Sequence, residues 1–185
     1  MLSDFLVPFV ATAVAEVGDK TQLSILLLAS KTRQHGRLLA GVMLAFLLVD
    51  GIAIAAGSWV TGLISHETLK TVSGIVFIAF GVFILAGGGG IEDDAEKASV
   101  KSPFLAAFTL TVLAEWGDKT QIAAGLLSTE YDSLLVLAGT LAALFVLSAI
   151  AVYAGKAFAK KINRRALSRI AGLVFVLIGL LSLAL

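Results

Sequence analysis

Apolar positions along the chain gather into six long runs, near residues 5 to 28, 38 to 60, 70 to 87, 103 to 127, 134 to 157 and 168 to 185, with short polar stretches between them. Each approaches the roughly 20 residues a helix needs to cross a bilayer. In lipid only helices and closed barrels satisfy their own backbone, and none of these runs alternates polar and apolar positions as a barrel strand would. The pattern therefore predicts an all-α integral membrane protein with six transmembrane helices. A hydrophobic soluble bundle is the plainer alternative, and six runs of this length argue against it.

Two of the runs are interrupted by charge. The first holds AEVGDKTQ at 15 to 22 and the fourth AEWGDKTQ at 114 to 121. Shifting the second half back by 98 to 99 positions lays Glu115 on Glu16, Gly117 on Gly18, Asp118 on Asp19, Lys119 on Lys20 and Gln121 on Gln22. The register continues beyond the motif, with Gly139 on Gly41, Gly155 on Gly57, the AGLVF at 171 to 175 on the SGIVF at 73 to 77, and Gly179 on Gly81. The chain thus divides into a repeat over 1–86 (helices one to three), a polar linker over 87–102 and a second repeat over 103–185 (helices four to six). An odd number of spans per repeat sends the second copy into the membrane from the opposite side, which predicts two inverted three-helix repeats. The linker, GGGGIEDDAEKASVKS, has the glycine and polar content of a solvated loop, and its acids Glu92, Asp93, Asp94 and Glu96 read as part of that loop.

Composition agrees with the span count: 58% of residues are hydrophobic and 15% charged, with a mean hydropathy of +0.98. The chain has no cysteine, so neither a disulfide framework nor a thiolate metal site is available. No Lys or Arg precedes the first apolar run, so a cleaved leader is not expected. The net charge of +1 matters less than its distribution. Eleven cations, Lys31, Arg33, Arg37, Lys97, Lys101, Lys156, Lys160, Lys161, Arg164, Arg165 and Arg169, fall at odd-numbered loops, and only Lys70 falls at the even ones. By the positive-inside rule the odd loops face the cytoplasm and both termini lie outside it.

The motifs sit deep. Glu16 is the twelfth residue of a helix beginning at Phe5, and Glu115 the thirteenth of one beginning at Pro103. Both are thus placed near the bilayer midplane, where inverted-repeat transporters build their sites. On a continuous helix Glu16, Asp19 and Lys20 share a face of about 100°, with Lys20 at the i to i+4 offset that lets it partly neutralise Glu16, as Lys119 can Glu115. Gln22, Gln121, Thr21, Thr120 and Ser24 add amide and hydroxyl oxygens, and Gly18 and Gly117 allow either close helix approach or a local break. Asp50 lies midway along the second span, where the second repeat has Ser148. Five acids, Glu16, Asp19, Asp50, Glu115 and Asp118, against Lys20 and Lys119 leave a formal charge of −3. Such a cavity needs a cation.

Oxygen donors without histidine, cysteine or a nearby methionine suit hard ions such as Ca²⁺, Mn²⁺ or Mg²⁺. Emptied of metal, buried carboxylates take up protons, and competition between ion and proton for one set of groups is the physical basis of antiport. A Glu–Lys pair that only joins helices explains one such cluster as well; a second copy at equivalent depth favours function. A cation channel and a proton-coupled exporter of another solute are the alternatives. No nucleophile–base pair or metal–histidine constellation points to an enzyme.

The duplicated E-V-G-D-K-T and E-W-G-D-K-T resemble the E-x-G-D-[KR]-[ST] signature of the Golgi calcium/manganese transporter family, the calcium:proton antiporter-2 family, whose bacterial members include proteins similar to manganese exporters. The resemblance covers essentially the whole chain. It implies export of Mn²⁺, and of Ca²⁺ as the other ion, from the cytoplasm in exchange for protons, without a cofactor. It assigns metal binding to Glu16, Asp19, Glu115 and Asp118, with Lys20, Lys119, Thr21 and Thr120 as charge-balancing or coupling groups. Asp50, Gln22 and Gln121 join the metal set on depth and helix face. The expected partners are divalent metal ions and the lipid bilayer, with no nucleic acid, and assembly with further copies of the chain is left open. The expected location is a bacterial plasma (inner) membrane, multi-pass.

Overall fold

The computed structural model describes residues 2–60, 63, 65–86, 102–158 and 164–184, which form eight α-helices and, among the described residues, no strand. The helices are α1 (Leu2–Glu16), α2 (Lys20–Ser30), α3 (His35–Val60), α4 (His66–Leu85), α5 (Pro103–Glu115), α6 (Lys119–Glu130), α7 (Ser133–Phe158) and α8 (Arg164–Ala184). The acidic linker stretch 87–101 lies outside the described residues.

The first and fourth runs, expected as single helices, are each two helices. Their breaks fall inside the motifs, at Val17–Asp19 and Trp116–Asp118, and the cause is the glycine: Gly18 and Gly117 have φ of 76° and 78°, a left-handed conformation that ends a helix. In each break the aspartate amide turns back onto the carbonyl of the glutamate, Asp19 N to Glu16 O at 3.1 Å and Asp118 N to Glu115 O at 3.0 Å. Gly117 has open space around its Cβ position, so the break, not close approach, is what it provides. Elsewhere the helix starts follow local chemistry. Pro103 occupies the first turn of α5 behind the N-cap Ser102, whose Oγ accepts from Leu105 N. Asp132 Oδ1 accepts from the amides of Leu134 and Leu135 at 3.0 Å and opens α7.

Helix α3, with 26 residues, is about 39 Å long and apolar enough to cross a membrane, as is Ser133–Tyr153 of α7. Both carry outward-facing apolar side chains, Leu44, Leu48 and Ile52 on α3 and Phe145, Val146 and Ile150 on α7. Their other faces pack inward. One cluster joins Ile25, Leu28, Leu38, Val42, Phe46, Ala107 and Leu144; the other joins Ala11, Ala15, Ile54, Phe77, Leu127, Val136 and Phe175.

Contacts exchange between the halves. A Cβ on Gly41 would overlap the Phe104 carbonyl and one on Gly139 the Phe5 carbonyl, so α3 lies backbone-close to α5 as α7 does to α1. A Cβ on Gly74 would meet Gly179 O and one on Gly81 would meet Gly172 O, which sets α4 and α8 antiparallel along a shared seam. Phe77 stacks on Phe175, its counterpart in the repeat register, with ring centroids 5.9 Å apart.

Candidate metal-binding site

The breaks determine where the motif side chains go. Glu16 ends α1 and Glu115 ends α5, while Asp118 caps α6 and Lys119 begins it. Because the chain turns at Gly18 and Gly117, the acids of one motif do not share a single helix face, and the expected stripe of Glu16, Asp19 and Lys20 is replaced by a meeting of helix ends. Each motif instead reaches across to the other. Thr21 Oγ1 donates to Glu115 Oε1 at 2.5 Å, and Thr120 Oγ1 donates to Glu16 Oε1.

Three carboxylates converge. Glu16, Asp19 and Asp118 each present an oxygen, and the three lie within 4.8 Å of one another, close enough for one ion to be shared. Glu16 is fully buried and its Oε2 has no hydrogen-bond partner among the described residues. A buried carboxylate oxygen without a partner is costly unless something binds it. The set fits a hard divalent cation taken as substrate: oxygen only, anionic, contributed by both halves of the chain.

Lys119 does not pair with Glu115 at the expected i to i+4 offset. Its Nζ lies 2.6 Å from Asp19 Oδ2, 3.2 Å from Asp118 Oδ2 and 3.6 Å from Glu16 Oε1, so it is held by the converging trio. The side chain of Lys20 lies outside the described residues. Glu115, expected beside Glu16 in the metal set, is not one of the three clustered carboxylates; it is 3% exposed and feels the charges of Glu16, Asp118 and Asp50. Asp50, also 3% exposed, lies within electrostatic reach of Glu16 and Asp118.

The two glutamines differ. Gln121 Oε1 accepts from Gly117 N at 2.7 Å and its Nε2 donates to Val49 O at 3.1 Å, so its amide holds the break against α3 next to Asp50. Gln22 is buried, and neither end of its amide has a hydrogen-bond partner among the described residues. Thr12 and Thr111, not among the site residues expected from the sequence, are buried four residues ahead of Glu16 and Glu115 on the same helix faces. Their recurrence at one offset from both motif acids was the available signal.

The family described as "Divalent cation/proton antiporter GDT1" matches residues 4–91 and 103–184. A Vibrio cholerae protein described as "Putative manganese exporter" is 33% identical over 97% of this chain and 90% of its own length. "GDT1-like protein 4" of Arabidopsis thaliana is 28% identical over 98% of this chain and 96% of its own length. "GDT1-like protein 5" of Oryza sativa is 28% identical over 98% of this chain and 94% of its own length. No solved structure matches the chain. The chain belongs to the GDT1 family of divalent cation/proton antiporters, membrane transporters of cations and not enzymes.

Proposed function

We propose that the protein exports Mn²⁺, with Ca²⁺ as the other candidate ion, from the cytoplasm in exchange for protons. In this reading the ion sits among Glu16, Asp19 and Asp118. Glu115 and Asp50 extend the negative field around it, and Gln22 offers a neutral carbonyl oxygen. The convergence of three carboxylates from two chain halves, one of them fully buried with an oxygen that has no hydrogen-bond partner among the described residues, is the observation that carries the reading. The manganese-exporter description of the Vibrio relative supports Mn²⁺ as the ion. Proton exchange rests on the family and on chemistry: with the metal gone, clustered carboxylates in a low-dielectric site are stabilised by taking up protons.

The architecture that serves this function is six spans, with α1–α2 and α5–α6 as broken first and fourth spans, arranged as inverted repeats over 1–86 and 103–185 about the linker 87–102. The exchanged glycine contacts and the antiparallel α4–α8 seam support that arrangement. Broken spans bring helix ends and their charged side chains to mid-membrane depth, where rocking of one repeat against the other opens the site to alternate sides. In this reading the positively charged odd loops face the cytoplasm of a bacterial cell and both termini lie outside it. Thr21 and Thr120 act in coupling, since each ties the glutamate of the opposite motif to its own helix start.

The test is Mn²⁺ binding to the purified protein. Glu16→Gln and Asp118→Asn, both folded by size-exclusion chromatography, are expected to lose high-affinity binding. Binding at wild-type affinity in both variants would remove the site assignment.

A further inference from the structure

Lys119 stands where its local structure gives it no reason to be. It is the first residue of α6, and the positive end of a helix dipole disfavours a cation there. Its ammonium is held at that spot by Asp19, Asp118 and Glu16, the same three carboxylates that converge to hold an ion. An ion among these carboxylates would draw on oxygens the ammonium already engages and would be repelled by its charge, so the two compete for one set of ligands. The side chain is 23% exposed, so its flexible stem has a path out of the cluster.

We propose that the Lys119 ammonium and the transported divalent cation are alternative occupants of one carboxylate cluster, Lys119 being a tethered competitor that fills the site when the ion leaves and swings out when it enters. This deepens the proposed function and rests on its placement of the ion among Glu16, Asp19 and Asp118. A competitor of this kind keeps three like charges from standing open in the empty carrier and prevents the ion from binding so tightly that it cannot leave. The apparent affinity for the ion is its intrinsic affinity reduced by the fraction of molecules in which Lys119 has vacated the cluster.

The experiment is Mn²⁺ titration of the full-length purified protein, wild type against Lys119→Gln, together with acylation of wild-type Lys119 by acetic anhydride, read by mass spectrometry with and without Mn²⁺. Lys119→Gln is expected to bind Mn²⁺ about tenfold more tightly or better while exchanging it more slowly in proteoliposomes. Saturating Mn²⁺ is expected to raise acylation at Lys119 in the wild type, a readout that needs no variant to fold and that a purely structural ion pair would not move. Unchanged or weaker binding in folded Lys119→Gln, or acylation indifferent to Mn²⁺, overturns the proposal while leaving the ion site standing. A wild type that binds no Mn²⁺ overturns the site and this inference together.

Discussion

Replacing Gly117 by alanine tests whether the broken helix makes the site. Gly117 has φ of 78°, and a Cβ there would meet nothing within 4 Å, so the substitution carries backbone strain without a steric clash. An L-residue with a side chain pays about 1–2 kcal/mol in that conformation. For a chain of this size that corresponds to a fall of about 2–8 °C in the thermal midpoint, measurable by intrinsic fluorescence in detergent. The chain can relieve the strain by straightening α5 into α6, which carries Asp118 and Lys119 away from Asp19 and Glu16 and loosens the bond from Gly117 N to Gln121. Mn²⁺ binding should therefore weaken along with stability. Gly117→Asn should retain more of both, because asparagine enters the left-handed region more readily than alanine. Gly18→Ala, at φ of 76°, carries the same strain and should behave as Gly117→Ala does. Wild-type stability and binding in Gly117→Ala, or an asparagine variant worse than the alanine one, would show that the left-handed break does not build the site.

Other substitutions separate packing from chemistry. Gly41→Leu drives a side chain into the Phe104 carbonyl, which is backbone and cannot step aside, so it should destabilise by about 3 kcal/mol and show as a large drop in folded yield. Thr120→Val removes the hydroxyl that donates to the buried Glu16 and should cost about 1.5–3 kcal/mol by chemical unfolding. In a Glu16→Gln background the same change should cost about 1 kcal/mol or less, which a double-mutant cycle reads directly. Asp50→Asn removes a buried carboxylate within electrostatic reach of Glu16 and Asp118, and should weaken Mn²⁺ binding several-fold without loss of fold.

The sequence made much of this fold legible because duplication doubles every signal. The helical class and the register that lays Gly139 on Gly41 follow from apolar runs and repeated small residues, and both glycines turn out to admit a neighbouring backbone for the same reason. The helix breaks were legible only as one of two uses for Gly18 and Gly117, since glycine at a close approach and glycine at positive φ look alike in one dimension. That ambiguity propagated into the site. A continuous helix puts Lys119 one turn from Glu115, whereas the break sends it to the acids of the other half. The cross-pairing of Thr21 with Glu115 and Thr120 with Glu16 depends on two segments 94 and 104 residues apart, and no local spacing encodes it. Likewise Gln22 and Gln121 are equivalent in the repeat, yet among the described residues only Gln121 has amide partners, Val49 O and the Gly117 amide of its own motif.

Antiport through the carboxylate cluster is tested most directly by a simultaneous record of Mn²⁺ and protons in proteoliposomes of the purified protein, with a metal gradient imposed and a pH dye trapped inside. Mn²⁺ flux should be matched by proton flux in the opposite direction, with both absent in Glu16→Gln. Mn²⁺ flux without proton movement, or coupled flux that survives Glu16→Gln, would rule this mechanism out.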